Sequence, residues 1–219
     1  MESSTKATKQ NLIVKHLCFS YERSSYEENL ILKDITFEVT PGNILLVQGD
    51  SGVGKSTLLK IIAGLLPVQM GNVTIPNGNI RILFQEPRLF PWLNVQQNLE
   101  YALRAIKCPP SEWIDKVDYW LARVGLNNQK EQRVQNLSGG MQQRLALARV
   151  MCSEPHILLL DEPFSSLHKE LREELWILLK ELTIQNKLIT LLVSHHLNMT
   201  HNCEVLYLKE NLLPKNQRT

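Results

Sequence analysis

The stretch Gly49-Asp50-Ser51-Gly52-Val53-Gly54-Lys55-Ser56 constrains the fold of this chain more than any other. It meets the spacing G-x-x-x-x-G-K-[ST], with Thr57 following. An apolar run, Leu45-Leu46-Val47, precedes it and an apolar-periodic segment follows it, so the local order is strand, glycine-rich loop, helix. Gly49, Gly52 and Gly54 permit positive φ and let successive N–H groups turn inward around an anion. A helix opening at Gly54 adds unpaired N–H groups and a positive dipole end at the same place. Lys55 supplies a cation for β- and γ-phosphates, and the Ser56 hydroxyl is a ligand for Mg²⁺.

Further elements alternate around this loop. Residues 11–21 and 30–39 are rich in β-branched and aromatic residues and read as strands, with the polar Glu22 to Asn29 as a hairpin loop. Pro41-Gly42 marks a turn before a short apolar strand, Ile44 to Gln48. The helix after the loop is expected to run to Ala63, with Gly64 capping it. Strands follow near Asn72–Ile75 and Ile80–Phe84. Residues 94–125 turn helical, with Asn94 and Ser111 as N-caps and Pro109-Pro110 as the break. Ser138 to Cys152 reads as a helix and Ile157 to Leu160 as a strand buried on both faces. Leu167, Leu171, Leu175, Leu178 and Leu182 form the core-facing stripe of a helix spanning 167–185. Residues 188–193 and 204–208 are two more strands, and 209–219 is a polar tail. This alternation implies an α/β domain with a mostly parallel, helix-covered sheet and a helical insertion over about 86–153.

Ile157-Leu158-Leu159-Leu160-Asp161-Glu162-Pro163 places two carboxylates at the C-terminal end of a buried strand, the edge where open parallel sheets bind ligands. By itself the pair is equally compatible with a solvated turn. Beside the phosphate loop, Asp161 reads as a Mg²⁺ ligand and Glu162 as the group that polarises an attacking water. Leu137-Ser138-Gly139-Gly140-Met141-Gln142-Gln143-Arg144 forms a second anion site, with Ser138 as cap and two glycines exposing N–H groups ahead of a helix. One chain has little use for two γ-phosphate sites. Two chains facing head to tail would use both.

LSGGMQQR resembles the signature of the ATP-binding cassette (ABC) ATPases, and residues 11–208 follow that family in motif order. The resemblance implies a P-loop NTPase core with an antiparallel β-subdomain and an inserted helical signature lobe, in a single domain over 1–219. It implies that Tyr21 stacks on adenine and that Gly49, Asp50, Ser51, Gly52, Val53, Gly54, Lys55, Ser56 and Thr57 hold the phosphates. Gln85 matches the glutamine that senses Mg²⁺ and the attacking water. Ser138, Gly139 and Gly140 match the signature that reaches the partner's γ-phosphate. Asp161 and Glu162 match the metal-binding aspartate and the catalytic base. Ser165-Ser166-Leu167 matches the D-loop, and His195 matches the switch histidine that contacts the γ-phosphate. Two positions depart from the pattern: His168 and His196 stand where the family usually has aspartate. His196 reads as a surface residue at a helix start. His168 is expected to slow or loosen hydrolysis, because the D-loop lies at the dimer interface.

The implied protein binds ATP and Mg²⁺ and hydrolyses ATP as a dimer, with transmembrane permease subunits as partners and a solute-binding protein acting through the permease. Its expected place is the cytoplasmic face of the inner membrane, held there peripherally. Phe84-Gln85-Glu86-Pro87-Arg88-Leu89-Phe90-Pro91-Trp92 is similar to the Q-E-P-R-L-x-P-W pattern of importer ATPases for nitrate, sulfonates and taurine. The cargo itself is not readable, because the ATPase does not touch it.

Composition agrees by exclusion. Lys+Arg of 24 against Asp+Glu of 22 gives a formal charge of +2, which suggests neither a polybasic nucleic-acid binder nor an acidic disordered chain. No apolar run approaches the roughly 20 residues that cross a bilayer. Met1 to Asn11 lacks a signal core, and the residues after Leu208 leave no expected room for a regulatory domain. Four scattered cysteines, with no C-x-x-C pair, fit free thiols better than a disulfide frame or a zinc site. Competing readings are an exporter or lipoprotein-extraction ATPase, a soluble mechanical ATPase and a small-molecule kinase. The importer-like segment around Gln85, the absence of paired cassettes or a coiled-coil insertion, and the signature respectively rank them lower.

Overall fold

The computed structural model describes residues 10–21, 30–165, 167–194 and 203–209. Strands β1 (Leu12–Phe19), β2 (Leu32–Val39) and β4 (Met70–Thr74) form a three-stranded antiparallel sheet ordered β2-β1-β4. Strands β3 (Ile44–Gln48), β5 (Ile80–Leu83), β6 (Ile157–Asp161), β7 (Ile189–Val193) and β8 (Glu204–Tyr207) form a parallel sheet ordered β5-β6-β7-β3-β8. The expected strands are present to within two residues. The loop joining β1 to β2 lies outside the described residues, and the antiparallel pairing of the two strands accords with a hairpin.

Alternation along the parallel strands explains the layering. Ile44, Leu46, Leu158, Leu160 and Leu192 face one core, while Leu45, Val47, Ile157, Leu159 and Leu191 face the other. A parallel sheet covered on both sides favours near-continuous apolar strands, and β3 and β7 are buried throughout, with Gln48 and Thr190 as their polar members. One core joins the sheet to α1 (Lys55–Ile62) and the antiparallel sheet. The other joins it to α2 (Val95–Ala105), α3 (Trp113–Arg123), α4 (Gly139–Cys152) and α5 (Lys169–Gln185). Helices α2, α3 and α4 are the insertion between β5 and β6.

Asn94 caps α2 with a reciprocal capping box, accepting from the Gln97 N–H at 2.7 Å while the Gln97 side chain accepts from the Asn94 N–H at 3.0 Å. Ser111 does not cap α3. It sits inside a 3₁₀ turn, Pro110–Glu112, that runs directly into the helix and leaves Glu112 as N-cap. Proline at the first position of that turn pre-sets the backbone, so chain continuity replaces a side-chain cap. The leucine stripe of α5 is also shifted. Leu175, Trp176, Leu179 and Leu182 are buried, whereas Leu171 and Leu178 are half-buried at its edge and Leu167 is buried ahead of the helix. The expected stripe already follows the helical period, and the buried face is rotated from it toward Trp176, Leu179 and Thr183.

Candidate functional site

The phosphate loop connects β3 to α1 along the C-terminal edge of the parallel sheet. Gly54 is the N-cap of α1 at φ 103°, and a Cβ there would fall 2.7 Å from Ile31 Cγ2 and 2.8 Å from Leu32 Cδ2. Gly49, at φ 146°, approaches so closely that a Cβ would lie 2.4 Å from the Leu208 carbonyl oxygen. Both glycines are therefore demanded by backbone conformation and by contact with distant segments. Asp50, Ser51 and Gly52 are exposed at the tip, while Val53, Gly54, Lys55 and Thr57 are buried.

Lys55 Nζ lies inside the loop, donating to the carbonyls of Gly49 at 2.8 Å and Asp50 at 2.7 Å. Burial lowers the Lys55 ammonium below its ordinary range, and the Glu162, Asp161 and Asp50 carboxylates pull the other way. A cation held dry among backbone oxygens and facing acids is poised to take an anion in their place. Ser56 Oγ donates to Asp161 Oδ1 at 3.0 Å, joining residues 105 positions apart. A hydroxyl and a carboxylate meeting at this distance are hard oxygen donors of the kind Mg²⁺ accepts alongside substrate phosphates and waters, so the residues fit the ion.

The catalytic-base candidate, Glu162, is at φ 48°, the left-handed region that non-glycine residues rarely enter. Its N–H donates to the Val193 carbonyl at 3.0 Å, and its own carbonyl accepts from the Ser165 N–H at 3.3 Å and the Ser165 hydroxyl at 3.1 Å. This network turns the chain sharply off β6 just where the carboxylate is needed. Gln85 is exposed two residues beyond Leu83, whose parallel register partner is Leu160, and Glu162 stands two residues beyond Leu160. The two loops thus leave neighbouring strands at the same level.

Tyr21 is half-exposed, at 56%, with its ring edge-on to Phe19 at 5.0 Å and its hydroxyl 3.2 Å from Thr57 Oγ1. One side-chain amide fixes its backbone: Gln69 accepts from the Ser20 N–H at 2.9 Å and donates to the Ser20 carbonyl at 2.8 Å. Ser138 caps α4 by accepting from the Met141 N–H at 3.3 Å, and Ser138 and Gly139 are exposed. Gly140 is half-buried because Leu171 of α5 rests on it, where a Cβ would lie 2.3 Å from Leu171 Cδ2. Among the described residues no hydrogen bond joins this helix start to the phosphate loop. His195, His196 and Ser166 lie outside the described residues, and His168 is exposed at the start of α5.

Three residues not singled out in the sequence belong to the surroundings of this site. Gln48, immediately before the loop, is 3% exposed with both amide atoms unpaired among the described residues. Gln143 of α4 donates to the Pro163 carbonyl next to Glu162. Arg149 of the same helix donates to the Pro87 carbonyl at 3.2 Å and lies 5.3 Å from the Phe90 ring centroid, beside the Gln85 loop. A polar residue inside an apolar strand was a signal for Gln48. Gln143 lies within the signature stretch, but its contact with Pro163, like that of Arg149 with Pro87, was not readable because the partners are 20 and 62 residues away.

A parallel sheet with the phosphate loop and the acidic pair on one edge defines a P-loop nucleotide-binding α/β protein. The sequence pattern of the family described as ABC transporter matches residues 32–165. An aliphatic sulfonates import ATP-binding protein, SsuB 2 of Burkholderia cenocepacia, is 40% identical over 200 residues, covering 87% of this chain and 70% of that protein. The taurine import ATP-binding protein TauB of Pseudomonas aeruginosa is 36% identical over 209 residues, covering 92% of this chain and 77% of that protein. The solved structure of CbiO1 from Clostridium perfringens, part of the ABC transporter complex CbiONQ, superposes with a TM-score of 0.81 at 28% identity, covering 90% of this chain and 84% of that one. The chain belongs to the ABC transporter family, as one of its ATP-binding, ATP-hydrolysing proteins.

Proposed function

We propose that the chain is the energising subunit of an importer for a small organic anion of the sulfonate type, acting as a head-to-tail homodimer. The observation that carries the dimer is the split of the machinery. The phosphate loop, Asp161 and Glu162 share one edge of the sheet, while the Ser138-Gly139 helix start is exposed and makes no hydrogen bond to them among the described residues. Each site is then completed by the partner's helix start, whose free N–H groups and dipole favour the γ-phosphate.

In this reading Lys55 and the N–H groups of the loop and first turn of α1 bind the β- and γ-phosphates, and Tyr21 stacks on the base. Glu162 orients the attacking water and takes its proton. Gln85 lies beside that water, and His195 supplies a further γ-phosphate contact. Ser56 and Asp161 would hold Mg²⁺, which when bound would offset the negative charge of the β- and γ-phosphates. The whole chain, 1–219, serves as one ATPase domain.

The import direction is supported by the names of the SsuB and TauB relatives, which are import ATP-binding proteins, and by the 84–92 segment. Among the described residues no helix is long and apolar enough to cross a membrane, so permease subunits of separate chains provide the path. The ATPase then sits peripherally at the cytoplasmic face of the inner membrane, and a solute-binding protein delivers cargo to the permease. No nucleic acid takes part.

Steady-state ATPase assays with parallel nucleotide-binding measurements test the site. Glu162→Gln is expected to keep ATP binding and to lose about 10²–10³ in turnover, the usual cost of removing one preorganised catalytic group. Lys55→Ala is expected to weaken ATP binding itself, and chelating Mg²⁺ to abolish turnover in the unaltered protein. A Glu162→Gln protein that turns over at the unaltered rate would refute the assignment.

A further inference from the structure

We propose that Gln143 is a positioning residue for Glu162, linking the helix that serves one nucleotide site to the catalytic carboxylate of the other. Gln143 is 2% exposed and lies three residues beyond Gly140, within the first turns of α4. Its Nε2 donates to the carbonyl of Pro163. Pro163 follows Glu162 directly, has no N–H, and holds a fixed φ, so its carbonyl is the single backbone polar group this residue offers. The rest of the turn is already fastened, through the Glu162 N–H to Val193 and the Glu162 carbonyl to Ser165. The unusual φ of 48° at Glu162 is thus held from three sides, and one of them belongs to α4.

The consequence follows from the direction of α4. Its first residues, Gly139 and Gly140, follow the cap Ser138 that faces a partner's nucleotide, while Gln143 grips the turn of the chain's own site. A helix is stiff over one turn, so displacement at its start moves Gln143 with it. Shifting α4 then either drags the Glu162 turn or strands a buried carbonyl without its donor. Arg149, further along the same helix, holds the Pro87 carbonyl of the Gln85 loop at 3.2 Å, so both groups beside the attacking water are registered to one helix. The proposal rests on the sandwich dimer and on Glu162 as base.

The test uses the full chain with ATP, in four forms: unaltered, Gln143→Met, Glu162→Gln, and both together. Methionine preserves length and removes the donor. Gln143→Met is expected to lower kcat about tenfold. KM for ATP, and the protein concentration at which ATP drives dimerisation, are expected to stay within about twofold. In the Glu162→Gln background the Gln143 change is expected to cost nothing further, because a residue acting through Glu162 has nothing left to position. Unchanged kcat, or a loss that repeats in the Glu162→Gln background, would overturn the inference. Gln143→Glu provides a second readout, since a carboxyl of the same reach donates only when protonated. Its rate relative to the unaltered protein should fall between about pH 6 and about pH 8, as for a buried acid, and a flat ratio would count against the idea. If Glu162→Gln itself turns over normally, the assignment of the base fails. If it is inactive and Gln143→Met is fully active, only the present inference fails.

Discussion

His168 shows how a single position can act on both stability and chemistry. It is the N-cap of α5 with extended backbone at φ −62° and ψ 156°, and its side chain makes no capping hydrogen bond. Imidazole reaches poorly back to the N–H groups of the first turn, whereas a short carboxylate reaches well and complements the helix dipole. His168→Asp is therefore expected to stabilise the chain by about 0.5–2 kcal/mol in a thermal or denaturant melt. It also restores the acid usual in related D-loops, and the ATPase rate of the assembled complex is expected to rise. An unchanged rate beside a higher melting point would assign the effect to capping alone. At this scale the phosphate loop was readable from the sequence because glycine, lysine and serine act there within eight consecutive residues. Gln69, which clamps both polar groups of Ser20 beside Tyr21, was not readable, because it acts across 49 residues.

Among the elements, α4 carries the most consequence. Beyond its signature start it ends in Cys152, 1% exposed, whose thiol is pushed up to about 12, first by burial. The neutral thiol is favoured in the folded chain, so the folded state holds its proton longer than the unfolded one. Stability from this group is complete below the ordinary value of 9.0 and falls as pH rises toward about 12. The limiting slope is about 1.4 kcal/mol per pH unit for one group. Denaturant melts at rising pH should show a shallower alkaline loss for Cys152→Ala than for the unaltered chain, even though the alanine chain starts less stable. Element types were largely readable from periodicity, and β3 and β6 follow from the unbroken apolar runs Ile44–Val47 and Ile157–Leu160. Ends and faces were less so: a proline-led 3₁₀ turn takes Ser111 and leaves Glu112 as N-cap of α3, and the buried face of α5 is rotated toward Trp176 and Leu179 by its tertiary packing.

In the whole molecule the helical insertion offers an apolar outer surface. Asn98, fully buried, accepts from the Phe90 N–H at 3.0 Å and donates to the carbonyls of Phe90 at 3.3 Å and Asn94 at 2.9 Å. It thereby folds the segment after Gln85 onto α2 and gathers Phe90, Trp92 and Tyr101, with ring centroids 5.6 Å and 4.5 Å from Phe90. Trp92 is 68% exposed and Tyr101 52%. Large aromatics held in a rigid exposed cluster are interface material, and here they adjoin the loop that carries Gln85. Trp92→Glu is expected to reduce co-purification of permease subunits from gently solubilised membranes at least tenfold, about 1.4 kcal/mol of interface. ATP binding by the separate chain should be unaltered.

The sequence by itself determined whatever depends on neighbours along the chain: the phosphate loop, the apolar strands, the Asn94 capping box and the acids that end β6. Those features are set by local backbone preference and by side-chain period. Only the tertiary structure decided which distant groups meet. The order β6-β7-β3 brings Asp161 to Ser56, the approach of Leu208 and Ile31 leaves room for nothing larger than glycine at 49 and 54, and α4 lies where Gln143 reaches Pro163. These contacts depend on how the sheets and helices bury their apolar faces together. That is a property of the whole packed chain and of no window within it.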